Sequence, residues 1–419
     1  MIGRVQVRAC ALLALTALVG CVHAPGWMVQ RAVTAEDVAR VLDEPAATER
    51  PLMPSDIPII PMRNGMRPCC AFGVKLGASV GPVPVPLFSL SNIVGLDQVG
   101  PHTYDAEPFS TSASSKLDAF MRENNALVYT CRGGFIDLAH VRDNADTTLF
   151  WSAAIARASL TGATIELPNE GGARRVHLRP LPPDLVKRYG LRRVAITVAQ
   201  WLAFELSVWH EIATTYGWSA FELYPEYLSA FSPEDLYSNL LGIKIAGGLL
   251  VNSGEAETDV LYDRQMDEWL RATLAHLQPV SADAGTEAMQ LVDGVWWDSH
   301  ARLPDPRLVL RRNTDAGGEL TPWVVSRAYA SPAMQAWVDR QCGGAERLLT
   351  LRRESAMDGH AFEDVATIEI DVHVPDPFPF PRAGSTRITQ EDFPIVLEAV
   401  RRYAIERFGP DANRPERSE

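Results

Sequence analysis

After its first twenty residues the chain has no stretch approaching the ~18 uninterrupted apolar residues that a spanning helix requires. It also lacks a Gly-x-x-x-x-Gly-Lys phosphate loop and a dinucleotide fingerprint, so the common sequence grounds for a nucleotide-binding or a dinucleotide-dependent enzyme are missing. Basic residues are in the minority, with 39 Lys+Arg against 52 Asp+Glu and a net charge of −13. An acidic protein is a poor binder of phosphate backbones or anionic headgroups, which argues against nucleic acid as a partner and leaves cations open. There is no fixed-period repeat, no low-complexity tract and no long βαβ alternation. Cysteine is scarce at six, and no second closely spaced pair accompanies Cys69-Cys70 to complete a thiolate zinc site.

What is present begins at the N-terminus. Arg4 and Arg8 precede Ala11 to Val19, an apolar stretch in the range of roughly 7 to 15 residues typical of a secretory leader. Leu18-Val19-Gly20-Cys21 resembles the bacterial lipobox, so residues 1–20 are expected to be a lipoprotein signal peptide and Cys21 the lipid-bearing first residue of the mature chain. Each buried CH₂ of an acyl chain contributes about 0.8 kcal/mol, so several chains hold a protein firmly on a membrane. Val22 stands where a retention signal would have Asp. By resemblance to enterobacterial sorting rules, the expected location is the outer membrane, facing the periplasm. In that oxidising compartment Cys69, Cys70, Cys131 and Cys342 allow three connectivities. Sequence neighbours rarely pair, so the expected bridges join Cys69 or Cys70 to Cys131 or Cys342, with buried free thiols as the alternative.

Residues 21–67 carry Pro51, Pro54, Pro58 and Pro61 and read as a lipidated N-terminus and flexible tether with one short helix, Ala35 to Leu42. Residues 68–410 are expected to form a single large α+β domain, or two subdomains split near residue 280, followed by a disordered tail over 411–419. The expected fold is a helix-dominated globular body with a small antiparallel sheet. Leu127 to Cys131 reads as a strand, Gly133-Gly134 as a turn, and Phe135 to Leu160 as a long helix. Ala163 to Leu167 and Arg174 to Leu178 form a hairpin pattern around Asn169-Glu170-Gly171-Gly172. Ala195 to Tyr216 is a nearly all-apolar helix ended by Gly217, and Ser232-Pro233-Glu234-Asp235 starts another. Ala366 to Val374 alternates strictly, as a half-buried strand does.

Two of these buried-looking helices each carry a histidine beside carboxylates. On the first, a rotation of about 100° per residue places Asp137, His140, Asp143, Asn144 and Thr147 on one stripe. On the second, Gln200, Ser207, His210, Thr214 and marginally Glu211 share a face among Trp, Phe, Val and Ile, where unpaired polar groups are costly to bury. His210-Glu211-Ile212-Ala213-Thr214 is similar to the His-Glu-x-x-His helix of zinc proteases, but Thr214 occupies the second histidine's place. The expected metal ligands are therefore His140, Asp143 and His210, with Asp137 as a further candidate, and Glu211 with His210 as the catalytic pair acting on a metal-polarised water. A purely structural His/carboxylate network is the competing reading. Glu234 and Asp235 are best explained as acids compensating a helix dipole, Asp371 and His373 as surface residues, and Trp296-Trp297 as one core and one surface residue.

Three segments carry a family resemblance: Tyr129 to Asp143, Trp209 to Gly217 and Phe231 to Asn239. Together they resemble an uncharacterised family of bacterial exported proteins and lipoproteins, domain of unknown function 4056, over most of the chain after about Cys69. The resemblance implies no activity or cofactor. The expected function is hydrolysis of an envelope component (peptide, glycan or lipid ester) with one divalent ion, zinc by its ligand types. The alternative is a non-enzymatic periplasmic binding or scaffold lipoprotein.

Overall fold

The structure is a computed structural model and describes residues 33–43, 59–63, 65–67, 71–86, 89–104, 123–220, 226–252 and 259–417. Cys21, the leader, Cys69 and Cys70 lie outside the described residues. The fold is helix-dominated α+β with small antiparallel sheets. No helix of the described residues is long and apolar enough to cross a membrane.

Three helices form the centre: Leu138–Ala158, Leu191–Thr215 and Asp235–Asn252. The second and third are apolar around nearly their whole circumference, so each is covered by other elements on all sides. Close approach is set by glycine. A Cβ on Gly242 would meet the Val141 carbonyl oxygen at 2.0 Å, and one on Gly247 would meet Gln200 Nε2 at 2.1 Å. The Asp235–Asn252 helix thereby lies directly against both of its partners, which carry His140 and His210.

The long helix begins at Leu138, not near Phe135 as the sequence pattern implies. Gly134–Asp137 is instead a strand paired antiparallel with Leu127–Thr130, placing Phe135 opposite Tyr129 and Ile136 opposite Val128. Asp137 then caps the helix, its carboxylate accepting the N–H groups of Ala139 and His140 at 2.7 and 3.1 Å. The predicted hairpin forms as Ala163–Leu167 and Gly172–Leu178. Ala366–Val372 adds to its free edge and Arg387–Thr389 completes a four-stranded antiparallel sheet. Ala366, Ile368, Ile370 and Val372 face the core, as their alternation requires.

A second apolar core gathers Phe72, Tyr129, Phe135, Trp296, Trp297 and Trp337. Most of its residues follow position 280, but the chain returns to the first core with Ala366–Val372, so no single cut separates the two. Trp296 and Trp297 are both buried, contrary to the one-in, one-out expectation. Their indole N–H groups donate to the Pro415 and Met289 carbonyls. Cys131 is bonded to Cys342, which corrects the expected pairing with Cys69 or Cys70.

Both ends of the body depart from the sequence reading. The Ala35–Asp43 helix is not part of a free tether, because Val38, Val41 and Leu42 are buried in the main core. Burial of aliphatic side chains of this size is worth about 1.5–3 kcal/mol each. The region expected to be a disordered tail is docked as far as it is described: Ala412 is buried and its carbonyl accepts the Arg312 N–H, and the Arg417 N–H donates to Ala328.

Candidate functional site

A cavity of about 280 Å³ opens between the Leu138–Ala158 and Leu191–Thr215 helices, with the turn of the 163–178 hairpin and Met62, Arg63, Gly65 and Met66 completing its wall. His140, His210, Glu170, Arg174, Trp218 and Asn239 line it together with apolar side chains. Ring nitrogens of His140 and His210 and a carboxylate oxygen of Glu211 all lie within 4.8 Å of one another. The two rings stand nearly perpendicular, 84° apart in plane with centroids separated by 6.2 Å.

Two of the three, His210 and Glu211, are held from behind. His210 Nδ1 lies 2.6 Å from Glu170 Oε1, and Glu170 is in turn paired with Arg174. Trp209, beside His210 on the helix, donates its indole N–H to the Glu170 carbonyl at 2.8 Å, pinning the hairpin turn to the helix. With Nδ1 engaged, Nε2 is the nitrogen His210 has to offer. Glu211 Oε2 accepts the Phe231 N–H at 2.9 Å, and Phe231 adopts a left-handed φ of 55° that presents it. Glu211 Oε1 has no hydrogen-bond partner among the described residues, nor has either ring nitrogen of His140. His140 Nδ1 is 3.5 Å from Asp235 Oδ1. The Ser232 hydroxyl lies 2.9 Å from both Glu234 Oε1 and Asp235 Oδ1, and the Ser232 N–H donates to Asp235 Oδ2 at 2.7 Å.

The electrostatics follow from burial and from the excess of acids. Burial opposes the charge on His210, but Glu170, Glu211 and Glu226 outweigh it and push the imidazole up to about 9. Burial likewise opposes ionisation of Glu170, yet Arg174 and His210 hold it below the usual range. Glu234 and Asp235 are driven well above theirs, first by burial and then by neighbouring carboxylates, Asp137 and Glu211 among them. Burial raises Glu226 as well. Arg312, itself lowered to about 10 by burial, is spent on the Leu228 and Ala230 carbonyls. Buried acids crowded in this way call for protons or a cation.

Of the residues that the sequence singles out, His140, His210 and Glu211 meet, while Asp143 and Asp137 do not join them. Asp143 lines the same cavity, but its Oδ1 is 2.5 Å from Arg63 Nη1 and 2.6 Å from Arg67 Nη1, and its Oδ2 accepts the Arg67 N–H at 2.7 Å. Its charge is already answered by residues that helical periodicity cannot see. Asp137 is occupied by the helix N-terminus it caps. Thr214, standing where a zinc protease would have its second histidine, is buried with its hydroxyl unpartnered among the described residues.

Sequence pattern alone does not select Glu170, Glu226, Glu234, Asp235 or Asn239 as site residues. The signal for Asp235 and Asn239 lies in the Phe231-to-Asn239 segment, which the family resemblance marks without assigning a role. Glu170 belongs to a predicted turn, and only the fold brings that turn onto the His210 helix.

A family profile described as protein of unknown function (DUF4056) matches residues 57–326, a span that includes every residue named in this site. No curated protein and no solved structure matches the chain.

Proposed function

Because the chain belongs to the DUF4056 family, whose description carries no activity, we propose a function from the site itself: a metal-dependent hydrolase acting on a component of the bacterial envelope. The observation that carries it is the convergence of His140, His210 and Glu211, with both histidines on the wall of a cavity. Two imidazoles and one carboxylate are the ligand set of many catalytic zinc sites, which leave a fourth position for water. Glu170 behind His210 and Asp235 beside His140 stand where outer carboxylates orient metal-binding imidazoles.

Glu211, expected from sequence to be the base, becomes the third ligand in this reading. Bound zinc would act as a Lewis acid and lower the pKa of water toward ~7. The water oxygen bonds to the electrophilic carbon and its proton passes to a nearby carboxylate. The bond to the leaving group then breaks, and the leaving group takes that proton.

The same proposal places the protein on the outer membrane, facing the periplasm, through a lipid on Cys21. The lipobox resemblance supports this, and a Cys131–Cys342 bridge fits an oxidising compartment. Replacing Cys21 by Ser should move the protein from the membrane to the soluble fraction of cells, and retention on the membrane would count against lipidation. The released protein, freed of metal, should take up one zinc ion per chain and melt at a higher temperature when loaded. Failure to bind zinc would remove the hydrolase reading. It would favour a non-enzymatic envelope protein, for which the Arg174–Glu170–His210 chain is a lock between hairpin and helix.

A further inference from the structure

The cavity holds one polar group whose orientation is dictated and whose hydrogen-bonding capacity is unused. Asn144 Nδ2 carries two hydrogens. One goes to the His140 carbonyl at 3.0 Å, which can only accept, and this fixes which end of the Asn144 amide is nitrogen. The other goes to Asn239 Oδ1 at 2.7 Å. Reversing the Asn239 amide would set two NH₂ groups against each other, so its carbonyl must face Asn144 and its Nδ2 must face away. Asn239 is 2% exposed and lines the cavity with His140, and its Nδ2 has no partner among the described residues. An orphaned buried donor costs about 1–3 kcal/mol, so a fold that orients one this firmly calls for a ligand that completes it.

The chemistry of that ligand is constrained on three sides. The Asn239 amide oxygen is turned to Asn144, so Nδ2 offers donors alone, and a group that only accepts is satisfied by it in full. A sugar hydroxyl would need a further acceptor for its own hydrogen, while His140, His210 and Glu211 are taken up as zinc ligands in this reading. A phosphoryl group carries more negative charge than one zinc ion answers, and the arginines of the cavity wall are committed, Arg63 to Asp143 and Asp146 and Arg174 to Glu170. The surrounding wall includes the side chains of Phe150, Leu206 and Trp218, which suit an uncharged, largely apolar group.

We propose that Asn239 Nδ2 receives the carbonyl oxygen of an ester or amide, so that the substrate of the hydrolase proposed above is an acyl compound and not a glycoside. The inference rests on that reading and sharpens it. Water adds to the acyl carbon, the carbonyl π pair moves onto oxygen, and the Asn239 N–H bonds strengthen as the negative charge develops. Collapse restores the carbonyl and expels the alkoxide or amine, which leaves with the proton taken from water.

The test uses zinc-loaded full-length protein, with acetohydroxamate as an acyl-shaped ligand and p-nitrophenyl acetate as substrate. For Asn239→Ala, zinc affinity should stay within about twofold of wild type, acetohydroxamate should bind about tenfold more weakly, and kcat should fall about 10²–10³-fold, as when an oxyanion donor is lost. Zinc binding with unchanged acetohydroxamate affinity and unchanged kcat in the variant would overturn the assignment while leaving the metal site standing. A wild type that binds no zinc would remove both readings at once. Should Asn239→Ala fail to fold, Asn239→Ser keeps a short acceptor for Asn144 without the NH₂ group, and the same two readouts decide.

Discussion

His210 and Glu170, forty residues apart, meet at 2.6 Å between Nδ1 and Oε1, and this one contact joins the turn of a β-hairpin to the middle of a buried helix. It fixes the ring of His210 and selects the nitrogen that faces Glu211 and His140. It also makes His210 a cation in the metal-free protein, because the carboxylates around it outweigh the cost of burying its charge.

Glu170→Gln tests that contact. The imidazole should titrate near about 9 in the metal-free wild type and at a lower pH in the variant, which NMR of the ring protons can follow. A folded-state pKa raised above the ordinary histidine value of 6.5 means that the pairing stabilises the protein fully below pH 6.5 and ceases to do so as pH rises through about 9. Zinc affinity should fall about 10–100-fold in the variant through loss of the orienting partner. Equal zinc affinity in the two proteins would reduce Glu170 to a structural role.

Asp235→Asn separates binding from stability. Asp235 lies among Glu234, Glu211 and Asp137, and burial with this repulsion raises its proton affinity, so its ionised form weakens the metal-free fold at neutral pH. The variant should melt about 2 °C or more above wild type without metal, yet bind zinc more weakly. A lower melting temperature with undiminished zinc binding would contradict both parts.

Arg67 supports the cavity from its other end. It is fully buried and bonds Glu123, Asp143 and Asp146 through its guanidinium. Arg67→Met leaves those acids short of a cation and should cost about 3–5 kcal/mol in denaturant unfolding. The pairing holds Glu123 at about 2 despite its burial, so its contribution is present above the ordinary glutamate value of 4.5 and is lost as pH falls from 4.5 through about 2. Glu123→Gln should therefore flatten the acid limb of the stability curve.

The bridge between Cys131 and Cys342 closes a separation of 211 residues and ties the second core together. Reduction, or replacement of both cysteines by serine, should lower stability by about 2–5 kcal/mol. Peptide mapping under non-reducing conditions should recover the two in one fragment, and recovery of Cys131 joined to Cys69 or Cys70 would contradict this pairing.

Much of the local structure is legible because it depends on near neighbours. Alternation over Ala366 to Val372 marks a strand, the Gly-rich Asn169-to-Gly172 turn marks a hairpin, and the unbroken apolar run around His210 marks a buried helix. The sequence pattern starts the Leu138 helix three residues too early because Phe135 and Ile136 suit either state, and pairing with Tyr129 and Val128 decides for strand. Burial of the Ala35–Asp43 helix is hidden by the proline-rich residues that follow it.

Which side chains need partners can be read along the chain: His140, His210 and Glu211 sit among large apolar residues, where water cannot serve them. What those partners are depends on how distant segments pack. A helical repeat fixes the direction a side chain takes from its own axis but carries no information about what approaches from outside. Asp143 thus shares a stripe with His140, yet Arg63 and Arg67 reach it from 80 and 76 residues away, whereas Glu170 and Asp235 arrive at the histidines from a turn and a helix start.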